Sequence, residues 1–198
     1  MVSPFLKALN ERVLVFDGAM GTQIQGADLP DHNFILGDQP HLTDAAKRAG
    51  ERLDGTLLDG CNEILCLTNP DIIEEIHTRY FQAGSDMVET NTFGTTSIVL
   101  AEYDIPELVY DLSLAAAQIA RRAADACSTP DRPKFAIGAL GPGTKLVSLG
   151  QTTWNELTET YALGFRALIE GGVDALLLET LQDLLMVKAG IVAANQAM

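Results

Sequence analysis

Lys134-Phe135-Ala136-Ile137-Gly138-Ala139-Leu140, closed at once by Gly141-Pro142-Gly143, is the stretch whose reading decides the fold. An apolar run this short, without polar alternation and punctuated by glycine, reads as a strand buried on both faces of a parallel sheet. Three more runs of the same form lie outward from it. Val13-Leu14-Val15-Phe16 leads into the turn-like Asp17-Gly18-Ala19-Met20-Gly21. Asp86-Met87-Val88-Glu89-Thr90-Asn91 ends in Thr92-Phe93-Gly94, and Ala175-Leu176-Leu177-Leu178 ends in Glu179-Thr180.

The segments between these runs carry helical spacing. Asn69-Pro70 reads as a cap with proline at the first helical position, followed by the stripe Ile72, Ile73, Ile76, Tyr80 and Phe81 up to Gly84. An alanine-rich helix is expected over 107–127, with Val109, Leu112, Ala116 and Ile119 on one face. Thr153-Trp154-Asn155-Glu156 matches a capping box and opens the stripe Trp154, Leu157, Tyr161, Phe165 and Leu168. A further helix is expected to start near Asp183. Residues 26–60 read as a loop insertion after the first strand, with a short helix near 43–52. The order is strand then helix four times over, and the roughly 40–50 residues between later strands suit βαβ crossovers. The expectation is an α/β fold.

Composition narrows the partners. Asp and Glu number 27 against 13 Lys and Arg, a formal net charge of -14, which argues against nucleic acid or an anionic membrane surface as the partner. No apolar run approaches the ~18 residues of a membrane helix, and the opening residues lack the order of a signal peptide. Three cysteines, an odd number, do not suggest a disulfide framework, so a reducing cytoplasm is the expected compartment.

In βα architectures ligands bind beyond the carboxyl ends of the strands, where this chain places its unusual residues. Turn chemistry accounts as well for Gly141-Pro142-Gly143, and Asp17-Gly18 is also a common turn pair. Glu179 is harder to dismiss. A glutamate directly after Ala-Leu-Leu-Leu is costly to desolvate unless a cation or hydrogen-bond donors meet it. Gly18-Ala19-Met20-Gly21 lacks dinucleotide spacing, and Gly141-Pro142-Gly143-Thr144-Lys145 is not a phosphate loop, so no nucleotide is indicated. Cys61 and Cys66 have no second pair at zinc spacing. They read as buried apolar thiols, with Cys127 semi-exposed at a helix end. His32, His41 and His77 have no nameable partner.

Taken together, ERVLVFDGAMGTQIQ (11–25), NEILCLTNPDIIEEIHTRYFQAGSDMVETNTFGTT (62–96) and DALLLETLQDLLMVKA (174–189) resemble the homocysteine S-methyltransferase family. The resemblance is nearest to the homocysteine-binding module of its cobalamin-dependent members. It runs over residues 10–198 and rests on D-G-x-x-G-T, E-T-N-T-F and E-T-x-x-D in that order.

This resemblance implies a (β/α)8 TIM-type barrel, of which about four βα units, the N-terminal half, lie in residues 1–198. It also implies a zinc-bound homocysteine thiolate that takes a methyl group, from methylcobalamin as donor, to give methionine. Asp17 and Gly18 would hold the amino-acid end of homocysteine, Glu179 would meet its ammonium group, and Asn91 and Thr92 would line the same mouth. The family's zinc cysteines belong to the sixth strand and to a Gly-Gly-Cys-Cys-Gly element near the eighth, both expected beyond residue 198. Cys61, Cys66 and Cys127 match none of them.

The implied partners are homocysteine, cobalamin-binding and folate-binding modules, and a C-terminal half-barrel. The chain alone is then expected to recognise the amino acid without catalysing its methylation. The alternative is a non-catalytic half-barrel that self-associates, or pairs with another chain, through open strand edges.

Overall fold

The computed structural model describes residues 3–37, 39 and 41–198. Three parallel strands, β1 (Met87–Glu89), β2 (Phe135–Leu140) and β3 (Ala175–Leu178), lie side by side in sequence order. Met87 pairs with Phe135, and Ile137 pairs with Ala175. Ahead of the sheet come helices α1 (Pro4–Glu11), α2 (Met20–Gly26), α3 (Asp44–Leu53), α4 (Leu65–Thr68) and α5 (Pro70–Ala83). Helix α6 (Ser97–Leu100) and the long α7 (Val109–Cys127) link β1 to β2, α8 (Trp154–Glu170) links β2 to β3, and α9 (Leu184–Ala197) follows. Parallel neighbours need such crossovers because the end of one strand and the start of the next lie at opposite ends of the sheet's strands.

Helix α7 packs on β1, β2, α5 and α8, so its expected stripe of Val109, Leu112, Ala116 and Ile119 is buried in full. Two helices end on left-handed glycines, Gly84 (φ 118°) and Gly172 (φ 93°), and two residues after each stands an aspartate. Each aspartate ties its strand to the preceding segment. Asp86 accepts from Val15 N at 3.0 Å, and Asp174 accepts from Ala136 N at 2.9 Å. Asp86 is 1% exposed and takes a two-pronged contact from Arg12 at 2.6 and 2.8 Å, which holds its carboxyl below the usual range. The amino ends of the strands are thus bound by ion pairs, which leaves the carboxyl ends for the site.

Several expectations need correction. Residues 13–16 form no strand of the sheet. They make a single parallel rung on β1, with Val15 O accepting from Met87 N at 3.3 Å and Asp17 N donating to Met87 O at 3.0 Å. Val15 O also accepts from Asp86 N at 2.7 Å, and this competing bond draws the segment away from a regular ladder. Nor is burial two-sided throughout. Val13 is 84% and Val15 55% exposed, and β3 is half-buried along its length. Only β2, flanked by a strand on each side and packed by both crossover helices, is buried at every position.

Asn69 makes no side-chain cap on α5; its amide donates to Asn33 Oδ1 at 2.7 Å. The capping box of α8 is half-made. Thr153 Oγ1 accepts from Glu156 N at 3.1 Å, but the Glu156 carboxylate takes the Thr152 hydroxyl instead, and Trp154 faces out. Asp183 caps α9 by accepting from Leu185 N at 2.8 Å.

The 26–60 insertion contains α3 with Thr43 as its cap, close to the expected helix. It is an integral part of the fold. Leu36, Leu42, Ala46 and Ala49 share a core with Leu108, Val109 and Leu112 at the start of α7.

Candidate functional site

A cavity of about 500 Å³ opens at the carboxyl ends of the strands, where the segment after residue 16, the β1 end, the β2 end and the β3 end converge. Asp17, Gly18, Asn91 and Glu179, expected from sequence, all line it. Thr92 does not. Its hydroxyl is turned into the sheet, donating to Ala139 O at 2.5 Å beside the Thr90 hydroxyl, so it braces the wall from behind. Asn91 lines the cavity but has its amide engaged, donating to Asn62 O at 2.9 Å and to Cys66 Sγ at 3.6 Å.

Glu63 and Glu89 complete the set of four carboxylates around the cavity. Among the described residues no Lys, Arg or His side chain lines it. The Asp17 carboxylate accepts from Glu89 N at 3.2 and 3.3 Å, which fixes it over the end of β1. Burial pushes the Asp17 carboxyl up to about 7, with Glu89 and Glu179 pushing the same way and the Glu89 N–H opposing. Burial raises Glu89 too, helped by Glu179, and it raises Glu179 against a weak contact from the Thr180 hydroxyl. Thr180 has φ 54°, a conformation costly for a β-branched residue, directly beside Glu179.

Such a set of carboxylates has two ways to relieve its charge: it can hold protons, or it can receive a cation rich in N–H donors. An alkylammonium group meets the second requirement.

Sequence reasoning placed Glu89 among the unusual residues at the strand ends but gave it no binding role, though a further signal was present. Gly84-Ser85-Asp86 to Glu89-Thr90 is echoed by Gly172-Val173-Asp174 to Glu179-Thr180, so both strands end in Glu-Thr at the same cavity. Glu63 carried no such signal, because it arrives from a 3-10 turn, Asn62–Ile64, just after the insertion.

The thiols stand apart from this chemistry. Cys61 and Cys66 are buried, and burial pushes both up to about 12; Cys127 is half-buried. Among the described residues no group of three or more His, Cys, Asp and Glu is arranged to hold a metal ion.

Comparison with known proteins gives the geometry a context. A family model described as homocysteine S-methyltransferase matches residues 14–198. Methionine synthases from Mycobacterium leprae and Mycobacterium tuberculosis are each 44% identical over 193 residues, which is 98% of this chain but 14% of theirs. The chain therefore spans about one seventh of the length of these relatives. Among solved structures, the homocysteine methyltransferase MmuM from Escherichia coli superposes in its oxidized form with a TM-score of 0.69 at 18% identity, over 98% of this chain and 63% of that one. Its metallated form gives 0.67 at 19% identity. At such identity the likeness speaks for the fold alone.

Proposed function

Because the chain belongs to the homocysteine S-methyltransferase family, we propose that its cavity receives the amino-acid end of homocysteine during methylation to methionine. The observation that carries this reading is the cluster of Asp17, Glu89 and Glu179 around a cavity with no basic side chain lining it among the described residues. Asp17 and Glu179 take the substrate ammonium, Gly18 lets the backbone lie close to it, and Asn91 supports the wall. Thr92 acts only by bracing the end of β1. We further read the three-stranded sheet as part of a (β/α)8 barrel, a reading supported by the superposition with MmuM.

Methyl transfer to sulfur needs a thiolate, and a free thiol near neutral pH is mostly protonated. Zinc is the family's implied means of activation. The residues of this chain do not fit it, since Cys66 is engaged with Asn91 and, among the described residues, no three His, Cys, Asp or Glu side chains are grouped to hold a metal ion. No step is assigned to a metal here. We place the zinc ligands beyond residue 198, together with a C-terminal half-barrel and with modules for methylcobalamin, the proposed donor, and folate. The chain alone should then bind homocysteine but methylate it little. Its free thiols suit a reducing compartment, and we place it in the cytoplasm.

Calorimetry with reduced L-homocysteine tests the reading. Glu179→Gln is expected to weaken binding by about 2 kcal/mol or more, because it leaves a buried ammonium short of its counter-charge. An analogue lacking the amino group should bind poorly to either protein. An unchanged affinity in Glu179→Gln would remove the ammonium role.

A further inference from the structure

We infer that Glu63 is a positioning residue for this cavity: it grips the 91–94 turn at the end of β1 and holds it in the shape that ligand binding requires. The inference rests on the homocysteine reading above.

The 91–94 turn is anchored on both sides. Toward the sheet, Thr92 Oγ1 donates to Ala139 O, and Phe93 O accepts from Gly141 N at 3.0 Å. Toward the cavity, two consecutive residues of the 3-10 turn reach across to it. Asn62 O takes the Asn91 amide at 2.9 Å, and Glu63 Oε1 takes the Gly94 N–H at 2.7 Å. One short element thus holds the turn at its first and last residues. Glu63 is the carboxyl member of these anchors; burial pushes it up from the ordinary carboxylate value, while the Gly94 N–H it accepts pulls the other way.

Gly94 fits this grip closely. A Cβ there would come within 2.7 Å of Glu63 Oε1 and 3.3 Å of Val99 Cγ1, so the position admits no side chain unless the grip opens. Loss of Glu63 would leave the buried Gly94 N–H without its acceptor and free the turn. Glu89, Thr90 and Asn91 lead directly into that turn, so its displacement carries the cavity wall with it.

The test is calorimetry with reduced L-homocysteine on four variants, each measured where circular dichroism shows it folded. Glu63→Ala should weaken binding about tenfold or more, whereas Glu63→Gln, which keeps an acceptor for Gly94 N, should stay within about threefold. Gly94→Ala breaks the same grip from the other side and should match Glu63→Ala. The double variant should be no weaker than the worse single one, because both changes act through one contact.

Three results would overturn the proposal: near-normal binding by Glu63→Ala, equal losses in Glu63→Gln and Glu63→Ala, or additive losses in the double variant. Equal losses in the two Glu63 variants would mean that its charge acts directly on the ligand. If Glu63→Ala does not fold, Glu63→Gln and Gly94→Ala decide the matter between them. No binding by the unaltered protein would overturn the homocysteine reading itself, and this inference with it.

Discussion

Asp17 keeps its proton up to about pH 7 because it is buried and faces two other carboxylates, Glu89 and Glu179. Two consequences follow, with opposite dependence on pH. An ammonium ligand needs the ionised form, so affinity should fall as pH drops below about 7, and Asp17→Asn should flatten that fall while weakening binding. The ligand-free protein behaves in reverse. The folded-state value lies above the ordinary carboxylate value of about 3.9, so the folded protein holds the proton more tightly than the unfolded chain. Its contribution to stability is therefore intact below about pH 4 and is lost as pH rises toward 7. Denaturant titrations at pH 5 and pH 8 check this: Asp17→Asn should gain stability relative to the unaltered protein at the higher pH. A gain of the same size at both would refute the burial argument. Asp86 has the opposite sign, since Arg12 lowers its carboxyl and that stabilisation is lost only as pH falls. Asp17 and Glu179 were legible as residues of the strand-end cavity because each directly follows an apolar run. Glu63 was not, because sequence carries no distance between a turn near the insertion and the end of β1.

At the scale of elements, helix ends were read well where the expected capping bond forms and poorly where another side chain engages the group expected to make it. Thr153 caps α8 as expected, and α9 starts at the expected place with Asp183 as its cap, each bonding a backbone N–H two or three residues on. Asn69 and Glu156 are diverted, one by Asn33 and the other by Thr152. Thr153→Ala should therefore cost about 1 kcal/mol, the ordinary worth of an N-cap. Glu156→Ala should cost less, because it removes no bond to the helix backbone. Thermal melting of the two variants compares them directly, and a larger loss from Glu156→Ala would mean the box is closed after all. The same contrast explains residues 13–16. Their apolar pattern is that of a strand, but strand pairing is a non-local bond, and Asp86 N takes part of the Val15 carbonyl.

For the whole molecule, apolar surface remains on one flank. Leu184 is 68% and Ile191 52% exposed on α9, beside the half-buried edge strand β3. Unpaired strand edges and apolar faces of this kind invite association. The purified chain should self-associate with rising concentration in light scattering, and Ile191→Lys should reduce it. A monodisperse monomer across the accessible range would count against that expectation. This flank is also where the family's further strands would lie if the sheet continues into a barrel, as proposed above.

By itself the sequence determined the α/β pattern, the long crossover helices and the carboxyl-end placement of Asp17, Asn91 and Glu179. These depend on hydrophobic period and on turn residues adjacent to apolar runs, which are local properties of the chain. Tertiary structure decided the rest: that 13–16 makes one rung only, that the insertion shares a core with α7, and that Thr92 faces the sheet. It also brought Glu63 to the cavity of Asp17, Glu89 and Glu179. Each of these depends on which distant groups meet, and on which of them wins a shared hydrogen bond.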